Sequence, residues 1–163
     1  LFKGTLASNI NYGEHATEAV DEAGIVHALE VAQGHDILTK KEEGIQAEVA
    51  QGGSNYSGGQ KQRISIARAV YKKPEIFIFD DSFSALDYKT DKILRQELRK
   101  ETEGATTLIV AQRIGTVRDA DQIIVLDEGK MVGIGTHDEL LRSCMVYQQI
   151  AYSQLSEEEL KHA

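Results

Sequence analysis

The chain is expected to fold as an α/β protein with a mainly parallel sheet and a helical subdomain. Three observations predict this. The apolar runs Ile76 to Phe79, Leu108 to Ala111 and Ile123 to Leu126 lack the alternation of half-solvated strands, which suggests strands covered on both faces. The amphipathic segment Asp91 to Lys100, with Ile93, Leu94 and Leu98 apolar, sits between the first two runs as a crossover helix would. Residues 1 to about 56 are polar, with few β-branched runs, and read as helical.

Taken in order, Thr17 to Leu29 and Val31 to Leu38 carry apolar residues at mixed three- and four-residue intervals, which suggests short helices. Gly34 and Gly44 punctuate them, and Gln51-Gly52-Gly53-Ser54-Asn55 is a loop signal. Ser57-Gly58-Gly59-Gln60 matches an S-x-x-Q capping box. The helix it opens runs through Ile64, Ala67, Val70 and Tyr71 and stops before Lys73-Pro74. After the strand and crossover helix, Asp127-Glu128-Gly129-Lys130 is a tight turn into Met131 to Ile134, an antiparallel edge hairpin. Thr136-His137-Asp138-Glu139 is a second capping box, opening a helical region through Leu140, Leu141 and Ile150. The charged tail from Ser156 is expected to fray.

Composition narrows the function. With 163 residues, 41% hydrophobic and 27% charged, the chain has the make-up of an ordinary globular domain. A net charge of −8 argues against nucleic acid as a partner, because phosphate binding concentrates Lys and Arg. The single cysteine, Cys144, excludes an internal disulfide and a cysteine metal cage, and a reducing, cytosolic setting fits. His15, His27, His35, His137 and His162 show no ligand spacing. No run approaches the roughly 20 apolar residues of a membrane span, and no signal-peptide pattern opens the chain. The start at Leu1 rather than Met suggests a fragment of a longer protein.

Two features carry chemistry. Two glycines in the first turn of a helix cost roughly 1 kcal/mol each relative to alanine. A capping box does not require them, but side-chain-free positions beside exposed N–H groups and a positive dipole end suit close approach of an anion. Ser57 adds a hydroxyl there; a simple helix cap is the other reading. The second feature is the Ile76 to Phe79 strand, which ends in Asp80-Asp81, two carboxylates that can face a metal. No G-x-x-x-x-G-K-[ST] phosphate loop accompanies them.

The run Gly53-Ser54-Asn55-Tyr56-Ser57-Gly58-Gly59-Gln60-Lys61-Gln62-Arg63, followed by Asp80-Asp81 and Ser84-Ala85-Leu86-Asp87, closely resembles the ATP-binding-cassette (ABC) transporter family in its signature motif, Walker B motif and D-loop. Leu1 to Leu6 with Asn9-Ile10 resembles the stretch after the family's Q-loop, and Glu48 falls at the x-loop position of the exporter branch. Ile109-Val110-Ala111-Gln112-Arg113 resembles the switch-histidine segment, and Gly135 to Leu141 the usual exporter ending.

The resemblance implies a partial P-loop NTPase (RecA-like) core over residues 73–163 and a helical, signature-bearing subdomain over 1–72. It implies ATP and Mg²⁺ as ligands, with a second nucleotide-binding domain and a transmembrane domain as partners. The location implied is the cytoplasmic face of the plasma membrane. In the family two such domains sandwich two ATP molecules head to tail. Ser57, Gly58, Gly59 and Gln60 would then serve an ATP held on the partner. Asp80 would hold Mg²⁺ through water, at the carboxyl end of a strand, and Asp87 would communicate across the dimer.

Two positions depart from the active pattern. The glutamate expected after the Walker B aspartate is Asp81, whose carboxylate falls about 1.3–1.5 Å short, and misplacement by about 1 Å can cost around a hundredfold in rate. The switch histidine is Gln112, which can donate a hydrogen bond but cannot become a cation. Together they point to the degenerate-site half of a heterodimeric multidrug or lipid-type exporter. Alternatives are a homodimeric slow ABC ATPase, a non-transport ABC protein, and a packing module without nucleotide. For the isolated chain, with no phosphate loop, negligible ATP affinity and exposed strand edges are expected.

Overall fold

A computed structural model of the chain describes residues 1–13, 20–39 and 42–154. The beginning of the expected Thr17 helix, His15, His162 and the tail from Ser156 lie outside these residues. The chain divides into two compact units between Leu108 and Ile109.

The first unit opens with β1 (Gly4–Thr5) and α1 (Leu6–Ile10), then α2 (Glu22–Val31), α3 (His35–Thr39) and a 3₁₀ turn at Gly44–Gln46. β2 (Glu48–Val49) pairs antiparallel with β1. Neither this pair nor α1 was legible in the sequence. The strands are two residues each, and α1 is capped by Thr5 and Ser8, a serine standing where the usual box has Glu or Gln. Asn9, 1% exposed, staples the start of the chain: its amide accepts from Phe2 N–H at 2.9 Å and donates to the Phe2 and Thr5 carbonyls.

α4 (Gly58–Tyr71) follows a 3₁₀ turn at Gln51–Gly53 and stops before Pro74, as the proline requires. Its buried stripe of Ile64, Ala67 and Val70 shares a core with Leu6, Ile10, Ile25, Ala28 and Leu29. β3 (Ile76–Asp80) leads to α5 (Tyr88–Glu101), which buries Asp91, Leu94 and Leu98. Asp91 is tolerated there because Arg95, one turn on, binds both its oxygens, at 3.1 and 3.0 Å.

β4 (Thr106–Val110) is the sheet neighbour of β3. Coverage on both faces, expected from the apolar runs, is not what the strands show. Phe77 and Phe79 are 4% and 3% exposed, whereas Ile76 and Ile78 are 57% and 69% exposed. Leu108, Val110, Ile124 and Leu126 are exposed as well. A continuous apolar strand needs a layer on each side, and the described residues supply one.

The second unit holds α6 (Ile114–Val117), β5 (Ile123–Asp127), β6 (Lys130–Gly135), α7 (His137–Ser143) and α8 (Met145–Gln154). β5 and β6 form the expected antiparallel hairpin, with Ile123 opposite Gly135 and Asp127 opposite Lys130. Its two-residue turn puts Glu128 and Gly129 at φ 47° and 75°, the left-handed pair that a right-twisted hairpin favours. Ile114, Ile123, Val125, Leu140, Cys144, Tyr147 and Ala151 form the core of this unit. Among the described residues no helix is long and apolar enough to cross a membrane.

Candidate functional site

Ser57 is the N-cap of α4, in extended conformation, and the capping box closes in both directions. The Ser57 hydroxyl accepts from Gln60 N–H at 3.3 Å, and Gln60 Oε1 accepts from Ser57 N–H at 3.0 Å. That leaves the N–H groups of Gly58 and Gly59, which meet no acceptor among the described residues. No acidic residue stands in this turn to offset the dipole. Ser57 and Gly58 are exposed, Gly59 is half-buried and Gln60 is buried.

The two glycines answer different demands. A Cβ on Gly58 would meet nothing closer than the Ala85 methyl at 3.8 Å, so packing does not require glycine there. A Cβ on Gly59 would lie 3.1 Å from the Ala85 carbonyl oxygen. Gly59 is thus partly a contact residue, and Gly58 is the position left open to an outside group. Gln60 faces inward: its Nε2 donates to Asp36 at 3.1 Å. Asp36 also takes Arg63, whose guanidinium reaches back to the carbonyls of Gln33 and Gly59. Burial pushes the Asp36 carboxyl up, but the hydrogen bonds from Arg63 and Gln60 and the Arg63 charge outweigh it, so it lies below the usual range.

Sequence reasoning missed Gln62. Its Nε2 donates to the Asp81 carbonyl at 3.2 Å and to Ser84 Oγ at 3.1 Å, and its Oε1 accepts from Ala85 N–H at 3.0 Å. One side chain therefore ties the helix start to the loop after β3. Nothing in its spacing announces this, because the partners, two main-chain atoms and one hydroxyl, lie 19 to 23 residues away.

Asp80 ends β3 with an exposed carboxylate, and Asp81 follows at φ 49°. Aspartate is among the few residues that enter the left-handed region readily, so the backbone favours Asp81 over a longer side chain, apart from any question of reach. Asp87 is the N-cap of α5; its oxygens accept from Thr90 N–H at 3.0 Å and Thr90 Oγ1 at 2.7 Å. The Thr90 hydroxyl and then the Thr90 amide hold its carboxyl below the usual carboxylate range. Among the described residues no cluster of three or more His, Cys, Asp or Glu is placed to hold a metal. An exposed carboxylate at a strand end still suits Mg²⁺, which keeps most of its waters and shares phosphate oxygens.

In the second unit, Gln112 is exposed in the middle of the three-residue connection between β4 and α6. Its carbonyl accepts from Gln154 Nε2 at 2.9 Å. The first unit therefore brings together Ser57, Gly58, Gly59, Gln60 and the Asp81–Leu86 loop, and Gln112 is held by its own unit.

Comparison with known proteins identifies the family. The ABC transporter family profile matches residues 3–84. An uncharacterized ABC transporter ATP-binding protein of Mycobacterium tuberculosis is 47% identical over 94% of this chain and 26% of its own length. An ATP-dependent lipid A-core flippase of Saccharophagus degradans is 42% identical over 96% of this chain and 26% of its own length. Among solved structures, a bacterial Atm1-family ABC exporter with ATP bound is 35% identical, with a TM-score of 0.87, covering 96% of this chain and 27% of that one. The chain thus spans about a quarter of the length of these two curated relatives. The glycine start of α4, the paired aspartates after β3 and these likenesses lead to one conclusion: the chain belongs to the ABC transporter family.

Proposed function

We propose that the chain is part of the nucleotide-binding domain of an exporter that couples ATP binding and hydrolysis to transport across a membrane, working at the cytoplasmic face. The observation that carries this is the start of α4, with two unpartnered N–H groups, an uncompensated positive dipole end and an open Gly58. Ser57 and the Gly58 and Gly59 amides would receive the γ-phosphate of an ATP held on a second nucleotide-binding domain. Gln60 builds the start from within, through Asp36, rather than presenting its amide outward.

Asp80 would hold Mg²⁺, which when bound supplies positive charge to the phosphates. On this chain's own side, Asp81 is one methylene short for orienting a water, and Gln112 supplies a hydrogen bond without a charge. Hydrolysis at the site using this chain's Asp80 and Asp81 is therefore slow, and the site using its Ser57–Gln60 start against a partner's catalytic groups does most of the turnover. That asymmetry favours a heterodimer over a homodimer of two weak sites. The names of the relatives, a lipid A-core flippase and an Atm1-family exporter, support an exporter parent.

Asp81→Glu with Gln112→His in the assembled transporter tests the asymmetry. Hydrolysis at this chain's own site should rise by about a hundredfold, the lower end for restoring a general base; unchanged turnover there contradicts it. The isolated 163 residues, which contain no phosphate loop, should show no Mg·ATP binding by titration calorimetry, and micromolar affinity would overturn that expectation.

A further inference from the structure

We propose that Gln154 is a positioning residue for Gln112. α6 begins without a local cap: Arg113 is its N-cap in extended conformation, and no side-chain bond from it closes the first turn. The cap comes instead from the last residue of α8. Gln154 Oε1 accepts from Ile114 N–H at 2.9 Å, and Gln154 Nε2 donates to the Gln112 carbonyl at 2.9 Å. A single amide thus grips the two peptide groups that flank Arg113, one prong on an orphan helix donor and one on the carbonyl of Gln112 itself. Ile114 is buried, at 3% exposure, in the same core as Tyr147 and Ala151 of α8, so the helix bearing Gln154 and the segment it grips are packed as one body.

Through this clasp, α8 sets where the Gln112 side chain points. Movement at the end of α8 is felt at Gln112 without any contact to nucleotide. The inference rests on the proposed role of Gln112, and its test separates the two.

The clasp is read by hydrogen exchange in the assembled transporter. Gln154→Met keeps the length and apolar stem of the side chain but removes both bonds. It should speed exchange of the Ile114 amide by about fivefold, the worth of one lost hydrogen bond, while the Leu140 amide, bonded to the Thr136 carbonyl, exchanges as before. Gln154→Glu keeps the acceptor for Ile114 and loses the donor to Gln112, so it should leave Ile114 protected. Unchanged Ile114 exchange in Gln154→Met overturns the clasp.

The consequence is read in ATP turnover at this chain's own site, with Asp81→Glu and Gln112→His in place and the partner's catalytic site inactivated, so that the switch position is active and its rate is the one measured. Gln154→Met should then lower kcat by about fivefold with KM for ATP unchanged, because the group is misaimed rather than the nucleotide lost. With Gln112→Ala instead, Gln154→Met should have no further effect, since it acts through that side chain. An equal loss in the Gln112→Ala background overturns the positioning role. If Ile114 exchange responds but Gln112→His itself changes nothing, the clasp stands and the assigned role of Gln112 falls.

Discussion

The starts of α4 and α7 are built on the same device and end as opposites. Each is a closed capping box, Ser57 with Gln60 and Thr136 with Glu139; the second closes at 3.4 Å from Glu139 N–H to Thr136 Oγ1 and 2.8 Å from Thr136 N–H to Glu139 Oε2. Between the caps, α7 places buried His137 and then Asp138, so Asp138 and Glu139 neutralise its dipole and the turn is sealed. α4 places Gly58 and Gly59 and no acid, so its dipole end stays positive and reachable. A capping box therefore says only that a helix begins. What lies inside the box decides whether the beginning can serve a ligand.

The contrast breaks most sharply at Gly58. Gly58→Asp gives α4 the acidic turn that α7 has, and should stabilise the helix by about 0.3–1 kcal/mol through the dipole. Turnover of the assembled transporter should nevertheless fall by about a hundredfold, as when one oxyanion donor is lost. Opposite signs in melting temperature and rate are the expected signature, and turnover preserved alongside the gain in stability breaks the comparison. Thr136→Ala is the counterpart in α7. It should cost about 1 kcal/mol by chemical denaturation, the usual worth of a cap, and leave turnover unchanged.

Acid should act on the two regions at different pH. His137 is buried; its Nδ1 lies 2.8 Å from the Tyr147 hydroxyl, and its Nε2 has no partner among the described residues. Burial and then the Arg118 charge hold its pKa below 6.5, against the opposing pull of Asp138 and Asp119. The folded state therefore binds fewer protons than the unfolded one, and the second unit should lose stability as pH falls below about 6.5, the unfolded value. Melting curves of His137→Gln should lack that slope. Asp36 is depressed instead, so its contribution is present above the unfolded carboxylate value and disappears only as pH falls below about 4. This last effect should be the smallest, because Asp36 is half exposed and its pairing with Arg63 is screened.

What the sequence made legible was whatever depends on near neighbours. Both capping boxes, the Pro74 stop, the crossover helix and the β5–β6 turn rest on residues within a few positions of one another. The Ser57–Gln60 and Asp80-Asp81 strings, which carry the family resemblance, stood out because each is local. Other features rest on distant partners. Gln62 and Gln154 act on main-chain atoms far along the chain, and an exposed glutamine carries no periodicity to betray it. Gly59 read as a second anion-binding glycine, whereas its contact with the Ala85 carbonyl shows only once the loop after β3 folds back. Coverage of the strands on both faces was inferred from apolar runs that reflect two layers, of which the described residues provide one.

The central claim is that the start of α4 serves an ATP on another chain. Ser57→Gly, placed in this chain alone within the assembled transporter, removes the hydroxyl at a cost to the cap of only a few tenths of a kcal/mol. ATP turnover at the partner's catalytic site should fall by about a hundredfold, the typical loss of one transition-state donor, with ATP still bound there. Turnover equal to that of the unaltered transporter would contradict the account.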